Sequence, residues 1–503
     1  MKVALVRVLG KDALDYNTAD YNVGFLFLRW AAEQEGAQVD IFDGITPEHH
    51  DNIMSKSGAY DIVGYNVHYL NIVESIQTLK NLKATNPHTT TVFGGDHPSG
   101  CSAELFSDIA ELDAVCVGEG EEVLRRLIRM VRNDAASAKR IGPMFPESFI
   151  EINDVKISML DDRYDVARIS TSRGCPFDCS FCSTPAIRKL TNVPTYRAVD
   201  TEHLHDLILD AQNNGKRKIY INDDLYVANN TKSRRRAVQV ASRLIEGGVT
   251  IPYKVQIRAD SFLRKHEDDL HLLRKSGLRE VFLGLESGSK ATLEQFNKEI
   301  EPDGNLEAVS LYDDVGIKIN AGNLVAAPDV EYADIAESIE MFSDCHIAYL
   351  FFRRVTFRAA VFPGTQIERQ MMNQGRLGDL PRYLDRQYDF RVPKLGQAVL
   401  VLEQQMPQFL AKIGAKAFNV RSKCLLMKYD GVLSLPQIEE MESILKLWSD
   451  EAALLLSTIF NDLEGFDLER IPDLVGGFTT YTEQVVKDLS RFSLVEVIDE
   501  ELF

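Results

Sequence analysis

The chain has 503 residues, too many for one ordinary hydrophobic core, so two or three domains are expected. Apolar residues make up 45% and charged residues 26%, which is typical of a globular protein that folds throughout. The formal net charge of -19 argues against a nucleic-acid partner, because binding phosphates needs a surface rich in lysine and arginine.

The ends and apolar runs of the chain show no targeting or membrane signal. The N-terminus lacks the long apolar stretch and cleavage site of a signal peptide, and no run approaches the roughly 18 apolar residues of a membrane span. The 7 cysteines, three of them clustered, do not form the pattern of a disulfide framework. We therefore expect a cytoplasmic protein with no membrane partner.

The first part of the chain, residues 1–135, alternates short apolar runs with helical patterns. This alternation predicts a parallel sheet wound by crossover helices. Strands are expected at 2–8, 39–42, 61–67, 90–93 and 113–117. Five strands with four crossovers predict a flavodoxin-like domain, whose ligands bind at the carboxyl ends of the strands. The periodicity then weakens, and residues 136–166 are interpreted as a linker.

A second alternating series occupies residues 167–365. Strands are expected at 167–171, 218–222, 253–257, 280–284, 318–324 and 348–356, with helical patterns between them. Six such strands predict an open, partial (β/α)6 TIM-like barrel whose working face is the carboxyl end of the strands. The remainder, 366–503, is predicted to be a mainly helical accessory domain.

Three cysteines follow the first strand of this series at the spacing Cys175-x3-Cys179-x2-Cys182. Three thiolates on one short loop can bind three irons of a 4Fe-4S cubane and leave the fourth iron open to a small molecule. A zinc knuckle is the main alternative. It needs a fourth cysteine or histidine nearby, and His203 and His205 lie about twenty residues further on in a predicted helix.

This cysteine spacing after the first strand of a partial barrel resembles the radical S-adenosylmethionine (SAM) superfamily. The resemblance implies a 4Fe-4S cluster whose open iron binds SAM. It further implies reductive cleavage of SAM to methionine and a 5′-deoxyadenosyl radical that abstracts hydrogen from the substrate. An electron donor such as flavodoxin or ferredoxin is implied as a partner.

Later strand ends extend the resemblance. Glu286 and Ser287, within Gly-Leu-Glu-Ser-Gly-Ser, resemble the fourth-strand motif that contacts SAM, while Asp223 and Arg258 stand at the second and third strand ends. The resemblance implies cofactor contacts for all four. Structural alternatives remain open: a buried salt bridge for Glu286, an ion pair between Arg258 and Asp260, and a helix N-cap for Asp223.

The N-terminal domain resembles the cobalamin-binding domain that precedes the barrel in one branch of the superfamily. The matching loops carry Gly94, Gly95, His97 and Gly118, which the resemblance implies as cofactor contacts. Glycine there lets the backbone approach a bulky corrin tail. The Asp-x-His-x-x-Gly pattern that supplies a histidine to cobalt in mutase-type domains is absent, so a cofactor-free relic of the same fold remains the alternative.

The resemblance leaves the fate of the substrate radical open. With cobalamin, it implies methylation of an unactivated carbon of a peptide or small natural-product substrate, with methylcobalamin as the methyl source. Without cobalamin, a cysteine thiol can return hydrogen and give an epimerase. Cys424 is the candidate donor, since Arg421 or Lys423 would favour a reactive thiol, although a buried cysteine can also be a small hydrophobe.

A noncatalytic cobalamin-binding or cluster-binding sensor is the third hypothesis. The intact cysteine cluster and the motif around Glu286 disfavour it.

Overall fold

The computed structural model describes residues 1–10, 21–56, 60–133, 140–155, 160–355, 358–384 and 387–492. The chain forms two compact units. Unit 1 comprises Met1–Tyr226 and Val361–Gln387, and unit 2 comprises Val227–Ala360 and Tyr388–Phe503. The chain therefore leaves unit 1, builds part of unit 2, returns to unit 1 and ends in unit 2.

The elements of residues 1–226 alternate as the sequence predicts. The strands are β1 (Lys2–Val8), β2 (Gln38–Ile45), β3 (Ile62–Asn66), β4 (Thr90–Gly94), β5 (Ala114–Cys116), β6 (Gly142–Met144), β7 (Val166–Ile169), β8 (Ser172–Gly174), β9 (Tyr196–Ala198) and β10 (Lys218–Ile221). The helices are α1 (Val23–Gln34), α2 (Pro47–Lys56), α3 (Ile72–Thr85), α4 (Asp96–Gly100), α5 (Ser102–Asp108), α6 (Gly120–Asn133), α7 (Ser183–Arg188) and α8 (Thr201–Asn213).

The rest of the described chain is mostly helical. Its strands are β11 (Tyr253–Arg258), β12 (Leu278–Glu286) and β13 (Lys318–Asn323). Its helices are α9 (Thr231–Glu246), α10 (Glu267–Lys275), α11 (Lys290–Gln295), α12 (Pro302–Val315), α13 (Tyr332–Asp344), α14 (Ala348–Val355), α15 (Gln366–Asn373), α16 (Pro393–Phe409), α17 (Ala415–Tyr429), α18 (Leu435–Phe460) and α19 (Ile471–Ser490).

The N-terminal sheet of unit 1 is parallel and has the order β2-β1-β3-β4-β5-β6. Successive side chains of β1 point to opposite faces: Val3 and Leu5 pack in one core with α1 and α6, and Ala4 and Val6 pack in the other with α2, α3 and α5. The five predicted strands are confirmed. A sixth, β6, comes from the segment interpreted as a linker, of which residues 136–139 and 156–159 lie outside the described part.

The second alternating series of strands begins in unit 1 with two short strand pairs. β7 pairs in parallel with β10, and β8 pairs antiparallel with β9. Unit 2 continues the series with the parallel strands β11, β12 and β13. The strands at 167–171, 218–222, 253–257, 280–284 and 318–324 and the α/β fold class are thus confirmed.

The predicted sixth strand at 348–356 is wrong, because residues 348–355 form α14; Thr356 lies outside the described residues. Tyr349 on this helix stacks on Trp448 of α18 with ring centroids 4.2 Å apart. The backbone N–H of Ala348 donates to the hydroxyl of Ser449 at 2.9 Å. A short apolar run suits a strand or a buried helix equally, and packing on α18 decides for the helix.

Residues 361–384 return to unit 1 and complete its core. Tyr383 is buried in the same core as Ala4 and Val6. Its neighbour Arg382 forms ion pairs with Glu104 on α5 at 2.5 Å and with Glu368 on α15 at 2.7 Å. This returning segment is therefore part of the N-terminal fold, although it is distant in sequence.

Helix α15 of unit 1 and helices α16 to α19 of unit 2 confirm the predicted helical character of 366–503, of which residues 385–386 and 493–503 lie outside the described part. Among the described residues, no helix is both long enough and apolar enough to cross a membrane.

We expect Trp448→Ala to lower the free energy of unfolding of unit 2 by about 3–5 kcal/mol, because truncating a buried aromatic leaves a cavity. The indole is fully buried, stacks on Tyr349, and donates to the hydroxyl of Thr482 at 3.2 Å. Urea unfolding followed by circular dichroism measures the loss. Leu454→Ala on the same helix is the control, since Leu454 is 61% exposed and should change stability by less than about 0.5 kcal/mol.

Candidate active site

The three clustered cysteines lie on the loop between β8 and α7 and are partly exposed. The described residues include all seven cysteines, and none of them forms a disulfide. The backbone N–H of Cys182 donates to the carbonyl oxygen of Cys179 at 3.2 Å and closes a turn. The guanidinium of Arg188 donates to the carbonyl oxygen of Cys175 at 2.6 Å. The thiols therefore lie on a short, braced loop.

The donor set of this loop fits an iron-sulfur cluster better than a single ion. Within the described part of the chain, no three His, Cys, Asp or Glu side chains converge on a point that could hold one metal ion. A 4Fe-4S cubane takes one thiolate at each of three irons, so its ligands need not converge. Burial raises the pKa of the Cys182 thiol to about 12 despite hydrogen bonds from Thr184.

A cavity of about 550 Å³ lies in unit 1 at the carboxyl ends of β3, β4 and β5. This is the edge at which ligands of parallel sheets bind. One wall comes from the residues that follow these strands, including His68, Gly95 and Gly118. The other wall comes from residues that flank the cluster loop, including Gly174 before it and Thr184 after it. The strand ends of the N-terminal sheet and the residues on both sides of the cluster loop thus line one common space.

Two glycines let the backbone border this cavity closely. Gly95 has φ 116°, and a Cβ there would lie 2.7 Å from the carbonyl oxygen of Val67. Gly118 has φ 79°, and a Cβ there would lie 2.7 Å from Cγ2 of Thr191. Any other residue would be strained at either position. Gly94 also lines the cavity.

The cavity extends into an apolar space between the sheet and two helices. Its inner lining includes Leu5 and Val92 from the sheet, Leu28 from α1, and Leu124 and Leu127 from α6. A polar mouth with a deep apolar extension suits a large ring that carries a long tail. These residues therefore fit a corrinoid.

Two carboxyl groups, Asp96 and Asp224, line the cavity. Both lie deep in unit 1 yet have accessible surface, because they border the open space. Burial raises the pKa of Asp96. Burial and then the charges of Asp96 and Asp223 raise the pKa of Asp224 to about 6. Both carboxyl groups of the cavity are therefore more readily protonated than free ones.

The two histidines at the strand ends differ in position. His68 lines the cavity, and burial together with Arg7 and His97 lowers its pKa to about 4, so the ring is neutral at pH 7. His97, predicted as a cofactor contact, is buried and is not among the described residues that line the cavity. Its Nε2 lies 2.8 Å from the carbonyl oxygen of Tyr383. This bond directs the ring towards the returning segment.

Asp223, also predicted as a cofactor contact, holds the backbone that leads into the cluster loop. Its carboxylate accepts hydrogen bonds from the backbone N–H and hydroxyl of Thr171, both at 2.6 Å, and from the backbone N–H of Ser172 at 2.9 Å. It is 2% exposed. The carboxylate that reaches the cavity is that of its neighbour Asp224.

In unit 2, Glu286 ends β12 with φ 66° and forms a buried ion pair with Lys298 at 2.6 Å. A Cβ at Gly284 would lie 2.7 Å from the Glu286 carboxylate, so the glycine makes room for this pair. The hydroxyl of Ser287 lies 3.0 Å from that of Ser338. The salt-bridge alternative for Glu286 is therefore realised in the structure.

Arg258 ends β11 and forms an ion pair with Asp260 at 2.9 Å. The guanidinium also donates to the carbonyl oxygen of Lys298. Arg258 thus links the ends of two neighbouring strands, because Lys298 in turn binds Glu286.

Cys424 is fully buried in α17. Its thiol lies 3.5 Å from the carbonyl oxygen of Leu489 on α19, to which it donates. Burial raises its pKa to about 12. The thiol is a packed member of the helical core, which is the alternative left open for it, and the epimerase hypothesis gains no support.

The partners of several site residues lie far from them in sequence. Arg173 and Arg197 bind Glu119 from positions 54 and 78 residues away. Lys298, the partner of Glu286, lies on a loop with no motif of its own. No local pattern signals such long-range pairs.

Comparison with known proteins gives two family matches. Residues 18–128 match the B12 binding domain, and residues 169–342 match the radical SAM superfamily.

Curated relatives include an uncharacterised methyltransferase of Pyrococcus horikoshii, 24% identical over 73% of this chain and 82% of the relative. The hopanoid C-3 methylase of Methylococcus capsulatus is 30% identical over 54% of this chain. The chain spans about half the length of that methylase, with 53% covered.

Solved structures show the same fold. The cobalamin-dependent SAM radical enzyme OxsB, with aqua-cobalamin and SAM bound, matches with a TM-score of 0.72 at 14% identity, over 98% of this chain and 80% of that one. The radical SAM methyltransferase TsrM from Kitasatospora setae, with cobalamin and a [4Fe-4S] cluster bound, matches with a TM-score of 0.59 at 13% identity, over 98% and 99%.

The two matched domains imply a 4Fe-4S cluster, SAM and cobalamin as cofactors, in agreement with the thiol loop and the cavity. The chain thus carries a B12-binding domain at residues 18–128, followed by a radical SAM domain at residues 169–342.

Proposed function

We propose that this protein is a cobalamin-dependent radical SAM methyltransferase that methylates an unactivated carbon of a peptide or a small natural product. The observation that carries the proposal is the common cavity, which is lined both by the strand-end loops of the N-terminal sheet and by the residues that flank the cluster loop. The names of two relatives, hopanoid C-3 methylase and bacteriochlorophyllide d C-8(2)-methyltransferase, support methylation at carbon and favour a small apolar substrate over a peptide.

Each part of the site has a proposed task. When bound, the cofactors supply a carbon radical and a methyl group. Cys175, Cys179 and Cys182 bind three irons, and a flavodoxin or ferredoxin provides the electron. Gly94, Gly95 and Gly118 let the backbone approach the corrinoid. His97 acts indirectly, because its bond to the returning segment fixes the loop that carries Gly95.

The proposed SAM contacts are Glu286, Ser287 and Arg258. Lys298 holds the Glu286 carboxylate in place, and Arg258 holds the backbone of Lys298. Asp223 positions the strand end that leads into the cluster loop.

The proposal is tested without knowing the substrate. Protein reconstituted anaerobically with iron, sulfide and hydroxocobalamin is mixed with SAM and dithionite, and the products are separated by liquid chromatography. We expect a stoichiometric corrin spectrum and the formation of both 5′-deoxyadenosine and S-adenosylhomocysteine. The second product should require bound cobalamin. Cobalamin-loaded protein that forms 5′-deoxyadenosine but no S-adenosylhomocysteine would contradict methyl transfer.

We expect Glu286→Gln to raise the Kd of SAM about tenfold, or about 1.4 kcal/mol, because a charged hydrogen-bond acceptor is lost. Equilibrium dialysis with labelled SAM measures the change. Glu301→Gln is the matched control, since Glu301 makes an exposed ion pair with Lys290 at 3.0 Å. The double variant Glu286→Gln/Lys298→Met keeps the charge balance and separates weak binding from misfolding. Unchanged SAM affinity in both Glu286 variants would remove Glu286 from the SAM site.

A further inference from the structure

Two arginines stand directly opposite each other on the β8–β9 ribbon that leads into the cluster loop. Arg173 and Arg197 are cross-strand partners, and their side chains are 17% and 7% exposed. Their guanidinium groups lie over the rings of Phe27 at 4.6 Å and Phe149 at 4.8 Å. Like charges directly opposite each other destabilise a pair of strands, so this ribbon depends on anionic partners.

Those partners are Glu119, in the turn that follows β5, and Glu121, in the first turn of α6. Glu119 accepts from Arg197 at 2.7 and 2.8 Å and from Arg173 at 3.2 Å. Glu121 forms a short ion pair with Arg173. Burial alone would raise the pKa of Glu121, but the charge and hydrogen bond of Arg173 outweigh it and lower the pKa. Two carboxylates thus balance two guanidinium groups.

These four charged side chains connect the two walls of the cavity. Glu119, Glu121 and Arg173 line it, and Arg173 stands two positions before Cys175. The intervening Gly174 has φ 78°, and a Cβ there would lie 2.5 Å from the carbonyl oxygen of Thr195, so the ribbon is tightly paired at this point. A shift of the turn after β5 therefore moves the backbone that enters the cluster loop.

We infer that Glu119 and Glu121 are positioning residues through which a corrinoid in the cavity and a cluster on the cysteine loop stabilise each other. The identity of the two ligands rests on the proposed function. A corrinoid that orders the turn after β5 orders the arginines, and with them the cluster loop. Linkage makes the effect reciprocal: the cluster tightens corrinoid binding by the factor by which the corrinoid tightens cluster retention.

The coupling can be measured in the whole protein as a coupling factor, the ratio of the Kd of hydroxocobalamin without the iron-sulfur cluster to the Kd with it. We expect the cluster to lower the Kd of hydroxocobalamin about tenfold, within the usual range of allosteric coupling. Titrations of cluster-free and cluster-loaded protein, followed by corrin absorption, give this factor. Hydroxocobalamin should also slow chelator-driven loss of iron and change the electron paramagnetic resonance spectrum of the reduced cluster.

Glu119→Gln tests the route of the coupling. It leaves both arginines with one carboxylate, so the factor should fall to near one, while Glu119→Asp should restore part of it. Glu122→Gln is the matched control, because Glu122 lies three residues after Glu119, in the first turn of α6, but pairs with Arg126 at 3.8 Å. It should retain the full factor and the spectral change.

The outcomes separate this inference from the proposed function. Failure of the wild-type protein to bind hydroxocobalamin would overturn both the proposed function and the coupling. Stoichiometric binding with a factor of one, or a full factor in Glu119→Gln, would overturn the coupling alone. Should Glu119→Gln not fold, Glu119→Gln/Arg197→Gln removes one charge of each sign; it should fold and lose the coupling, and a retained factor would overturn the inference.

Discussion

Alanine at Cys175, Cys179 or Cys182 will reduce 5′-deoxyadenosine formation from SAM at least about a hundredfold, since a lost ligand removes far more than the 1.36 kcal/mol that each tenfold in rate represents. Each thiolate is the sole protein ligand of one iron in a three-cysteine site, so no neighbour can replace it. The described residues offer no converging set of alternative ligands. Iron and sulfide content, visible absorption and chromatography of the SAM products measure the effect.

Cys345→Ala is the control for this series. Cys345 ends α13 and is partly buried, so its replacement tests the loss of a thiol as such. It should retain the brown cluster and the wild-type rate. Wild-type SAM cleavage in any one of the three loop variants would refute the cluster assignment.

Leucine at Gly94 will weaken hydroxocobalamin binding at least about tenfold, which corresponds to about 1.4 kcal/mol. An added Cβ at Gly94 would lie 3.5 Å from Cβ of Cys116, an ordinary contact, and both residues line the cavity. The rest of the leucine side chain must then occupy space that the corrinoid needs. Titration followed by the corrin absorption bands measures the loss.

Gly94→Ala is the matched control, because its Cβ is accommodated without strain and it should bind nearly as tightly as the wild-type protein. Both variants should take up iron and cleave SAM, since neither touches the cysteine loop. Equal affinity of Gly94→Leu and wild type would mean that the cavity is not the corrinoid site.

The strands of both series could be predicted because buried parallel strands are short apolar runs between helical patterns. The run at 348–355 is also short and largely apolar, but it forms α14. Its Tyr349 stacks on Trp448, a residue that lies 99 positions later. Local patterns cannot show such a partner. The strand β6 escaped prediction for a related reason: three residues with a proline carry too little periodicity to register.

In the candidate site, too, residues in a local motif could be predicted and long-range partners could not. The three cysteines could be singled out because they lie within eight residues and their spacing is itself the signal; their role as cluster ligands stays a prediction. The glycines at the strand ends could be singled out because they stand in a recognisable motif and because glycine lets the backbone come close to a ligand. The positions of His97, Asp223 and Cys424 depend on their hydrogen bonds to Tyr383, Thr171 and Leu489, respectively. No local sequence motif indicates these partners.

The returning segment has a consequence for the order in which this protein is made. Tyr383 belongs to the same core as the first strand, so a ribosome that has synthesised the whole N-terminal sheet has not yet supplied all of its core. Most proteins fold their N-terminal domain first during synthesis. Here the nascent sheet must wait for about 240 further residues after β6 before that core closes, which at 5–20 residues per second is a delay of roughly 10–50 seconds. During that interval the core of the sheet lacks the side chain of Tyr383.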